Sequence, residues 1–508
     1  MATQGRRAGA VIIDDREVSL DTVVAVAAGA RVEPSANRTW RRRLAESRRV
    51  LDDALAEGAT VYGVSTGVGN NSSRAVGLGE QIEFAISVME QHGCGTGDPL
   101  SEEEGRAVTF ARVISLSKGL SAVRPELIDA LCALLNHGIT PAIPRWGSVG
   151  ASGDLTPLSY LAAVVSGRRK AYYHGRIIDA AKALAAEGLE PYEFGPKETL
   201  AIMNGTSVMT AVGILVIDRL ERLLSRVEEA SALAAEVLLG RSQAFHPLVH
   251  AAKPHPGQVE SARHIRHALR GSRLLDPAER SGRPVQDRYS IRCVPQAVGP
   301  VRDGITWARQ VLQIELNSVN DNPLVDPETG QILFGGNFFG GHPALVMDML
   351  KIGAASTADL VDRQFALLVD EGHNMGLPET LVPYGGCGVK GLQMACSALT
   401  AQAIQRSFSD TVLSRSTECA NQDKVSMGLQ AALSASEIVH LLTRALATEL
   451  IAISNAANLR DETHISPAGR ALLREIRKRS PVLAFRDRPL DADIERVFAW
   501  LGTGGTPR

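Results

Sequence analysis

Long stretches with helical periodicity are the feature that most limits the fold of this 508-residue chain. Within residues 211–239, apolar side chains recur at steps of three or four residues, and charged side chains such as Asp218 and Arg222 fall between them. This spacing predicts one long amphipathic helix that ends near Gly240. Because helices of this length usually pack against one another, we expect a mainly α-helical fold built around a long-helix bundle. Comparable stretches cover residues 301–316, 343–369, 392–408 and 426–456.

The composition excludes several classes of protein. Apolar residues make up 44% and charged residues 22% of the chain, which is the balance of a globular protein and not of a disordered one. The formal net charge is −2, whereas a general nucleic-acid binder normally has a basic excess, so we expect no nucleic-acid partner. A basic run beside Trp40, within residues 41–49, is typical of a solvated helix face, and a phosphate or RNA patch is the alternative.

The sequence also bears on location and on metal binding. The N-terminal segment lacks an apolar core of signal-peptide length, and no uncharged run approaches the roughly 20 residues that a membrane span needs. The 6 cysteines lie far apart, with no Cys-x-x-Cys pair, and the histidines within residues 246–267 lack the spacing of a metal site. We therefore expect a cytoplasmic protein with no membrane partner and no bound metal.

Loops rich in small residues interrupt the helical pattern. Binding and catalytic residues often lie on such loops when a rigid scaffold holds them in place. We expect a loop-rich N-terminal part, residues 1–200, followed by a helical bundle domain, residues 201–508. The loops cover residues 63–71, 93–97, 147–153, 331–341 and 384–388.

The most informative segment reads Arg145-Trp-Gly-Ser-Val-Gly-Ala-Ser-Gly-Asp-Leu-Thr-Pro-Leu158. A turn of small residues that leads into an apolar helix is typical of an anion-binding helix N-terminus, although the known nucleotide-binding spacings are missing. A second interpretation is chemical. Gly153 has no Cβ, so its amide nitrogen could approach the carbonyl of Ala151. Ring closure and loss of water at Ser152 would then give an electrophilic heterocycle.

Residues 147–155 resemble the signature of the aromatic amino acid ammonia-lyase and 2,3-aminomutase family. The resemblance implies that Ala151, Ser152 and Gly153 cyclise autocatalytically into 4-methylidene-imidazole-5-one (MIO), with no external cofactor. It also implies the family's helical fold, in which a smaller loop-rich N-terminal part carries the prosthetic group. Further motifs follow in the family's order: Tyr62-Gly-Val-Ser-Thr-Gly67, Met203-Asn-Gly-Thr206, Pro254-His-Pro-Gly-Gln258, Gln286-Asp-Arg-Tyr-Ser-Ile-Arg292, Asn320-Asp-Asn-Pro-Leu324, Gly335-Gly-Asn-Phe338 and Asn421-Gln-Asp-Lys-Val-Ser-Met427.

The chemistry of ammonia elimination explains why such residues are needed. The reaction breaks a C–N bond to a poor leaving group, which a covalent electrophile assists, and it removes a β-proton of low acidity, which requires a strong base. The resemblance gives the base role to Tyr62. It implies that Asn204 hydrogen-bonds the heterocycle oxygen, in an oxyanion-hole role, and that Tyr289 orients the amine or transfers a proton.

The resemblance also assigns residues that bind the substrate. Arg292 is the expected partner of the substrate carboxylate, because a guanidinium binds a carboxylate through two parallel hydrogen bonds. Gln286 and Asn322 resemble the amides that position the substrate. Phe338 resembles an aromatic wall of the same pocket.

Residues at the ring end of the pocket bear on which substrate is used. Gln91 and His92 stand where the family contacts the ring, and Gln422 stands where histidine-selective relatives carry glutamate. Glu418, one helical turn earlier, resembles a glutamate of phenylalanine-type enzymes. A carboxylate is the natural partner of imidazole, so its absence at 422 places tyrosine or phenylalanine before histidine as the substrate.

Several outcomes share this set of residues. An ammonia-lyase releases the trans-arylacrylate and ammonia, whereas an aminomutase returns the amine to the β-carbon; we rank deamination first. A helical scaffold or RNA-binding homologue without activity is the non-enzymatic alternative, and the intact motif residues argue against it. By resemblance, we expect a small-molecule aromatic amino acid as ligand and a homotetramer whose active sites are shared between chains.

Overall fold

The computed structural model describes residues 10–77, 79–276 and 285–502. The chain divides into two compact units. Unit 1 is drawn from Met1–Leu215, Ala308–Met347 and Ser409–Leu433, and unit 2 is drawn from Val216–Trp307, Asp348–Phe408 and Ser434–Arg508. These units are defined by packing. The predicted division at residue 200 separates two parts of the chain by their roles, which packing does not test, so the division at residue 200 stays a prediction.

Helices dominate the described part of the chain, which confirms the predicted mainly α-helical fold. Four helices longer than 20 residues provide the main scaffold: α9 (Ser207–Val237), α13 (Val294–Leu316), α14 (Gly341–Leu368) and α16 (Gly428–Asn458). The shorter helices of unit 1 are α1 (Leu20–Ala27), α2 (Arg38–Ala56), α3 (Gln81–Gln91), α4 (Glu102–Ser117), α5 (Pro125–Asn136), α6 (Leu155–Val165), α7 (Ala180–Ala186) and α8 (Glu198–Met203). Those of unit 2 are α10 (Pro247–Ala251), α11 (Pro256–Ala268), α12 (Tyr289–Arg292), α15 (Lys390–Gln405), α17 (Pro467–Arg477) and α18 (Asp491–Gly502).

The long predicted helices agree with the observed ones except at one start. Helix α13 begins at Val294 and runs through Pro300, whereas the periodicity predicted a start after that proline. A proline inside a helix removes one backbone hydrogen bond and normally ends the helix. Here Val294 and Val298 are fully buried, so packing of the first turns outweighs the missing bond.

Short strands connect the helices of unit 1. Strands β1 (Val11–Ile13) and β2 (Val32–Pro34) pair in parallel. All other pairs are antiparallel: β3 (Thr96–Pro99) with β5 (Pro144–Trp146), β4 (Thr140–Pro141) and β7 (Arg176–Asp179) with β6 (Lys170–Tyr173), and β8 (Leu324–Val325) with β9 (Ile332–Leu333). The β3–β5 pair joins the segment after α3 to the segment that leads into residues 147–153.

Helix α4 lies at the centre of unit 1. Every residue of α4 from Glu104 onward is buried, so the helix is enclosed on all sides and is not amphipathic. Buried arginines on it must therefore find acceptors inside the protein. Arg106 donates to the backbone oxygens of Val26 and Leu135, and Arg112 donates to the backbone oxygen of Ala201.

The basic run on α2 is largely paired with acidic side chains. Arg41 and Arg43 form ion pairs with Asp129 and Glu328. Arg48 pairs with Asp52, and Arg49 pairs with Glu46 and Asp53. Trp40 is buried and donates its indole N–H to the backbone oxygen of Ser117. This pattern favours the helix-face interpretation over a phosphate patch.

Neither a membrane-spanning helix nor a metal-binding group of side chains occurs among the described residues. None of their helices combines the length and the apolar composition that crossing a membrane requires. Among the same residues, no three histidine, cysteine, aspartate or glutamate side chains are grouped so that they could hold a metal ion.

Gly105 and Gly391 allow a matched test of packing by glycine-to-alanine substitution. A Cβ atom at Gly105 on α4 would lie 2.6 Å from Cγ2 of Thr140, whereas nothing lies within 4 Å of a Cβ at Gly391 on α15. We expect Gly105→Ala to lower the melting temperature, because the overlap exceeds the gain in helix propensity. Gly391→Ala should leave it unchanged or raise it, by the equivalent of at most about 1 kcal/mol. Thermal unfolding followed by circular dichroism checks both variants, and an undiminished melting temperature for Gly105→Ala would contradict the tight contact of α4 with β4.

Candidate active site

The Ala151-Ser152-Gly153 segment forms a tight turn that interlocks with Gly205. Ser152 and Gly153 both have positive φ angles, 47° and 73°. The backbone N–H of Gly205 donates to Ser152 O (3.1 Å), and the N–H of Asp154 donates to Gly205 O (2.7 Å). A Cβ atom at residue 153 would overlap the Gly205 carbonyl, so only glycine fits there. The turn before α6 is therefore held against the turn before α9.

Asp154 binds the N-terminus of a helix from inside the protein. Its Oδ2 accepts hydrogen bonds from the backbone N–H groups of Val208 (2.9 Å) and Met209 (2.8 Å), in the first turn of α9. Burial nevertheless raises the pKa of Asp154 to about 7. The anion-binding interpretation of this segment needs a correction. The anion is the carboxylate of Asp154, and the helix that binds it is α9. Asp154 makes no side-chain cap of α6, the helix that follows it.

A cavity of about 280 Å³ in unit 1 brings many of the predicted residues together. Its wall contains Ala151 and Ser152 of the turn. Leu155, Leu200 and Val88 add apolar surface that the sequence analysis did not assign to the site. The predicted residues that line it are Tyr62, His92, Ala151, Ser152, Asn204, Asn322, Phe338, Glu418 and Gln422. Gly153 is buried and is not part of the lining.

Tyr62 begins a loop that is closed by its own hydrogen bonds. The phenol oxygen accepts the backbone N–H of Gly69 (2.9 Å). Gly67 N–H donates to Arg74 O (2.8 Å), and Val76 N–H donates to Ser65 O (2.9 Å). These bonds fold the loop over the cavity wall that contains Tyr62. The phenol oxygen thus accepts one hydrogen bond from within its own loop, while Tyr62 lines the cavity.

His92 and Gln422 present complementary groups to the cavity. The Nδ1 atom of His92, at the end of α3, lies 2.7 Å from Val88 O. A carbonyl oxygen can only accept, so Nδ1 carries the proton, and in the neutral ring Nε2 is an acceptor. Gln422 accepts the hydroxyl of Thr417 on its Oε1 (2.7 Å), which leaves its amide N–H₂ group as a donor.

Glu418 contacts the loop that Tyr62 begins. The backbone N–H of Asn70 donates to its Oε2 (3.4 Å). Glu418, Cys419 and Ala420 all have positive φ angles, between 51° and 66°, and form a left-handed turn. Backbone hydrogen bonds between Thr417 and Gln422 close this turn in both directions.

The amides of Asn204 and Asn322 are held by their surroundings. The Nδ2 of Asn204 donates to Asn322 O (2.9 Å) and to Asp321 Oδ1 (3.3 Å), and its buried Oδ1 has no hydrogen-bond partner within the described residues. The sequence predicts a donor at Asn204, but its donors are already used, because both neighbours can only accept. Asn322 accepts the backbone N–H of Gly335 (2.8 Å), and this bond positions the segment that contains Phe338.

Two buried cations behind the cavity were not predicted. Lys197 donates to Asp321 Oδ2 (2.5 Å), and both side chains are fully buried. Arg112 donates to Asn320 Oδ1 (2.8 Å), and burial lowers the pKa of Arg112 to about 10. Asp321 belongs to a motif that the sequence analysis noted, whereas nothing in the sequence marks Lys197 as buried.

The remaining predicted residues lie outside the lining of this cavity. Gln91 is exposed at the end of α3, because successive residues of a helix point about 100° apart and His92 takes the inward position. Gln286, Tyr289 and Arg292 belong to unit 2. The Arg292 guanidinium stacks 4.7 Å from the ring centre of Tyr289, and Tyr289 is 72% exposed. Gln286 lines a separate small pocket of about 30 Å³, together with His373.

Comparisons with known proteins agree with this arrangement. A family model described as aromatic amino acid lyase matches residues 18–478. A histidine ammonia-lyase of Koribacter versatilis is 37% identical over 478 residues, which cover 91% of this chain and 92% of that protein. A crystal structure of tyrosine aminomutase from Streptomyces globisporus matches with a TM-score of 0.92 and 34% identity, covering 98% of this chain and 97% of that one. The structure of a Pantoea agglomerans phenylalanine aminomutase gives a TM-score of 0.91 and 31% identity, with coverages of 96% and 98%.

These matches span nearly the whole chain in both sequence and fold. They confirm the family resemblance and the prediction of an enzyme of the ammonia-lyase and aminomutase type. The chain belongs to the aromatic amino acid lyase family.

Proposed function

We propose that this protein eliminates ammonia from an L-aromatic amino acid, with tyrosine preferred, to give the trans-arylacrylate. The observation that carries the proposal is one cavity of unit 1 that is lined by Ser152, Tyr62, His92 and Gln422. It combines a residue of the electrophile-forming triad, a tyrosine whose phenolate can take up a proton, and a polar ring end. The experiment that tests it is incubation of the purified protein with tyrosine, phenylalanine and histidine separately, with analysis of acrylate and β-amino acid.

The residues of the triad fit an MIO group formed from Ala151, Ser152 and Gly153. The positive φ angles at Ser152 and Gly153 give a tight turn, and the space where a Cβ of residue 153 would lie is closed. Formation joins the Gly153 nitrogen to the Ala151 carbonyl carbon and expels one water. Ser152 then loses its hydroxyl in a second water. The group, once formed, supplies an electrophile that binds the amine and improves its departure.

Tyr62, as the phenolate, takes up the β-proton in this proposal and becomes the phenol. A proton acceptor must lie within hydrogen-bond reach of the bound substrate, and Tyr62 lines the same cavity as Ser152. The Gly69 N–H donates to the phenol oxygen and orients it. Hydrogen bonds within the loop hold Tyr62 in place, so its position does not depend on the substrate.

The ring-end pair favours a phenol. A phenol hydroxyl can donate to Nε2 of His92 and accept from the amide of Gln422 through one oxygen atom. A phenyl ring would leave both polar groups unpaired, which such a site penalises strongly. Histidine is the second candidate substrate, because the sequence relative from Koribacter versatilis is a histidine ammonia-lyase and an imidazole N–H can also donate to His92.

The cavity wall lacks the predicted bidentate partner of the substrate carboxylate. Lys424 lines the cavity, but among the described residues no arginine does. We propose a homotetramer in which the segment with Gln286, Tyr289 and Arg292 completes the cavity of a neighbouring chain, since closed symmetry is usual for such assemblies. The exposure of this segment supports the proposal, because Val285 (85%) and Tyr289 (72%) together leave apolar surface available to a neighbouring chain.

An aromatic 2,3-aminomutase is the alternative reaction. The hydrogen-bonded loop over Tyr62 favours it, because a closed loop keeps the acrylate and ammonia together for re-addition. The two structural neighbours named above are also aminomutases. Acrylate that appears before any β-amino acid supports deamination, whereas an earlier and faster β-amino acid supports the alternative.

Ser152→Ala should abolish turnover without unfolding the protein, because it removes the hydroxyl that leaves during MIO formation. Intact mass should show the loss of two waters in the wild type and no loss of the Ser152 oxygen in the variant. Ser166→Ala, at the end of α6, is the matched control and should keep both the mass loss and the activity. Near-wild-type turnover by Ser152→Ala would refute the prosthetic-group proposal.

Tyr62→Phe should lower kcat by at least about 100-fold, the usual scale for a general base, while KM changes little because the ring remains. Steady-state kinetics measures both constants. Tyr173→Phe is the matched control, because it removes a phenol oxygen from the β6–β7 hairpin, where Tyr173 donates to Glu187. It should leave both constants unchanged. A raised KM with unchanged kcat would make Tyr62 a binding residue instead.

Gln422→Glu should raise kcat/KM for histidine relative to tyrosine. The substitution removes the amide donor for a phenol oxygen and supplies a carboxylate partner for imidazole. Gln405→Glu introduces the same charge on the exposed side of α15 and should not alter the ratio. A constant ratio in both variants would show that other residues determine the substrate.

A further inference from the structure

A fully buried ion pair lies beside the cavity wall. The Nζ of Lys197 donates to Asp321 Oδ2 (2.5 Å) and to Ser121 O (3.0 Å). Neither charged side chain has any exposed surface. Such pairs contribute little net stability, because desolvation offsets their attraction. The position of this pair therefore matters more than its strength.

The second oxygen of Asp321 fixes the orientation of the Asn204 amide. Asp321 Oδ1 accepts the Nδ2 of Asn204 (3.3 Å) and the backbone N–H of Asn322 (2.7 Å), while Asn322 O accepts the same Nδ2 (2.9 Å). Both partners of Nδ2 can only accept while Asp321 is ionised, so the amide nitrogen must face them. The amide oxygen must then point the other way.

Helix α8 gives this arrangement its rigidity. Lys197 precedes its first residue and Asn204 follows its last residue, and both side chains bond to Asp321. The two ends of one short helix are thus tied to a single carboxylate. A rotation of the Asn204 amide would break two hydrogen bonds and place oxygen against oxygen.

The outward oxygen of Asn204 lacks a partner. Its Oδ1 is buried and accepts no hydrogen bond from the described residues. Asn204 lines the cavity together with Ser152. An unpaired buried acceptor costs free energy, so this atom is suited to a donor that arrives with the ligand.

We propose that Lys197 and Asp321 are positioning residues that hold the Asn204 amide with its oxygen toward the cavity, where it accepts an N–H of the substrate α-amino group. This inference rests on the proposed function, since it requires an amino acid in this cavity. The hydrogen bond orients the amine beside Ser152 and forms no covalent bond. Lys197 binds Oδ2 of Asp321 and so holds the carboxylate with its Oδ1 toward Asn204 Nδ2 and the Asn322 N–H.

Binding in a Ser152→Ala background tests the proposal without turnover. Two ligands are compared by calorimetry: L-tyrosine, and 3-(4-hydroxyphenyl)propionate, which has the same ring and carboxylate but no amine. The test variant adds Lys197→Met and Asp321→Asn together, so that no unpaired charge is left buried. The matched control adds Lys351→Met and Asp348→Asn, which removes another buried ion pair, on α14 in unit 2.

We expect the test variant to bind L-tyrosine about tenfold more weakly, the scale of one hydrogen bond from a charged group. Affinity for the propionate should stay within about twofold of the Ser152→Ala parent, and the control variant should change neither value. Equal losses for both ligands, or no loss for either, would overturn the proposal.

A second variant decides the matter if the double substitution does not fold. Asn204→Ala leaves the ion pair in place and should show the same selective loss of L-tyrosine binding. An unchanged ratio of the two dissociation constants in Asn204→Ala would overturn the proposal. If the Ser152→Ala parent binds no aromatic amino acid and the wild type converts none, the proposed function fails, and this inference fails with it. That outcome differs from one in which the parent binds L-tyrosine and only the role of the Lys197–Asp321 pair is refuted.

Discussion

The interlock between the Ser152–Gly153 turn and Gly205 is the constraint on which the rest of the site depends. Two backbone hydrogen bonds join these turns, and a single added methyl group at residue 153 would separate them. Because one turn precedes α6 and the other precedes α9, the contact sets the relative position of two helices and of Asn204. The packing of the two helices and the shape of the cavity wall are therefore specified by the same atoms, and a substitution here alters both.

Buried charge surrounds this interlock. Arg112 and Lys197 supply two cations, while Asp154 and Asp321 supply the facing acids, and all four side chains are almost fully buried. In such a low-dielectric setting, each hydrogen bond is strong and each unpaired group is costly. The network consequently fixes side-chain orientation more than it adds stability. A turn with two residues at positive φ is held in place by this network.

The sequence allowed prediction of the long helices and of most of the cavity wall, but not of the buried Lys197–Asp321 pair that supports this wall. Periodicity identifies α9, α14 and α16 because their cores repeat regularly, whereas the start of α13 depends on packing across Pro300 that no local pattern reveals. Tyr62, Ser152 and His92 were found because they stand in motifs. Lys197 was missed since a lone lysine is normally exposed, and only the fold places Asp321 against it. Gln91 does not line the cavity, because His92 takes the inward-facing position at this end of α3.

The left-handed turn at Glu418, Cys419 and Ala420 has a consequence for how this enzyme can diverge. Three successive residues with positive φ tolerate few replacements, and β-branched side chains least of all. The backbone path that brings residues 418 and 422 to the cavity is thus difficult to remodel. Exchange of side chains on this fixed frame is therefore the easier route of change, because a new backbone path would require all three residues to leave the left-handed region.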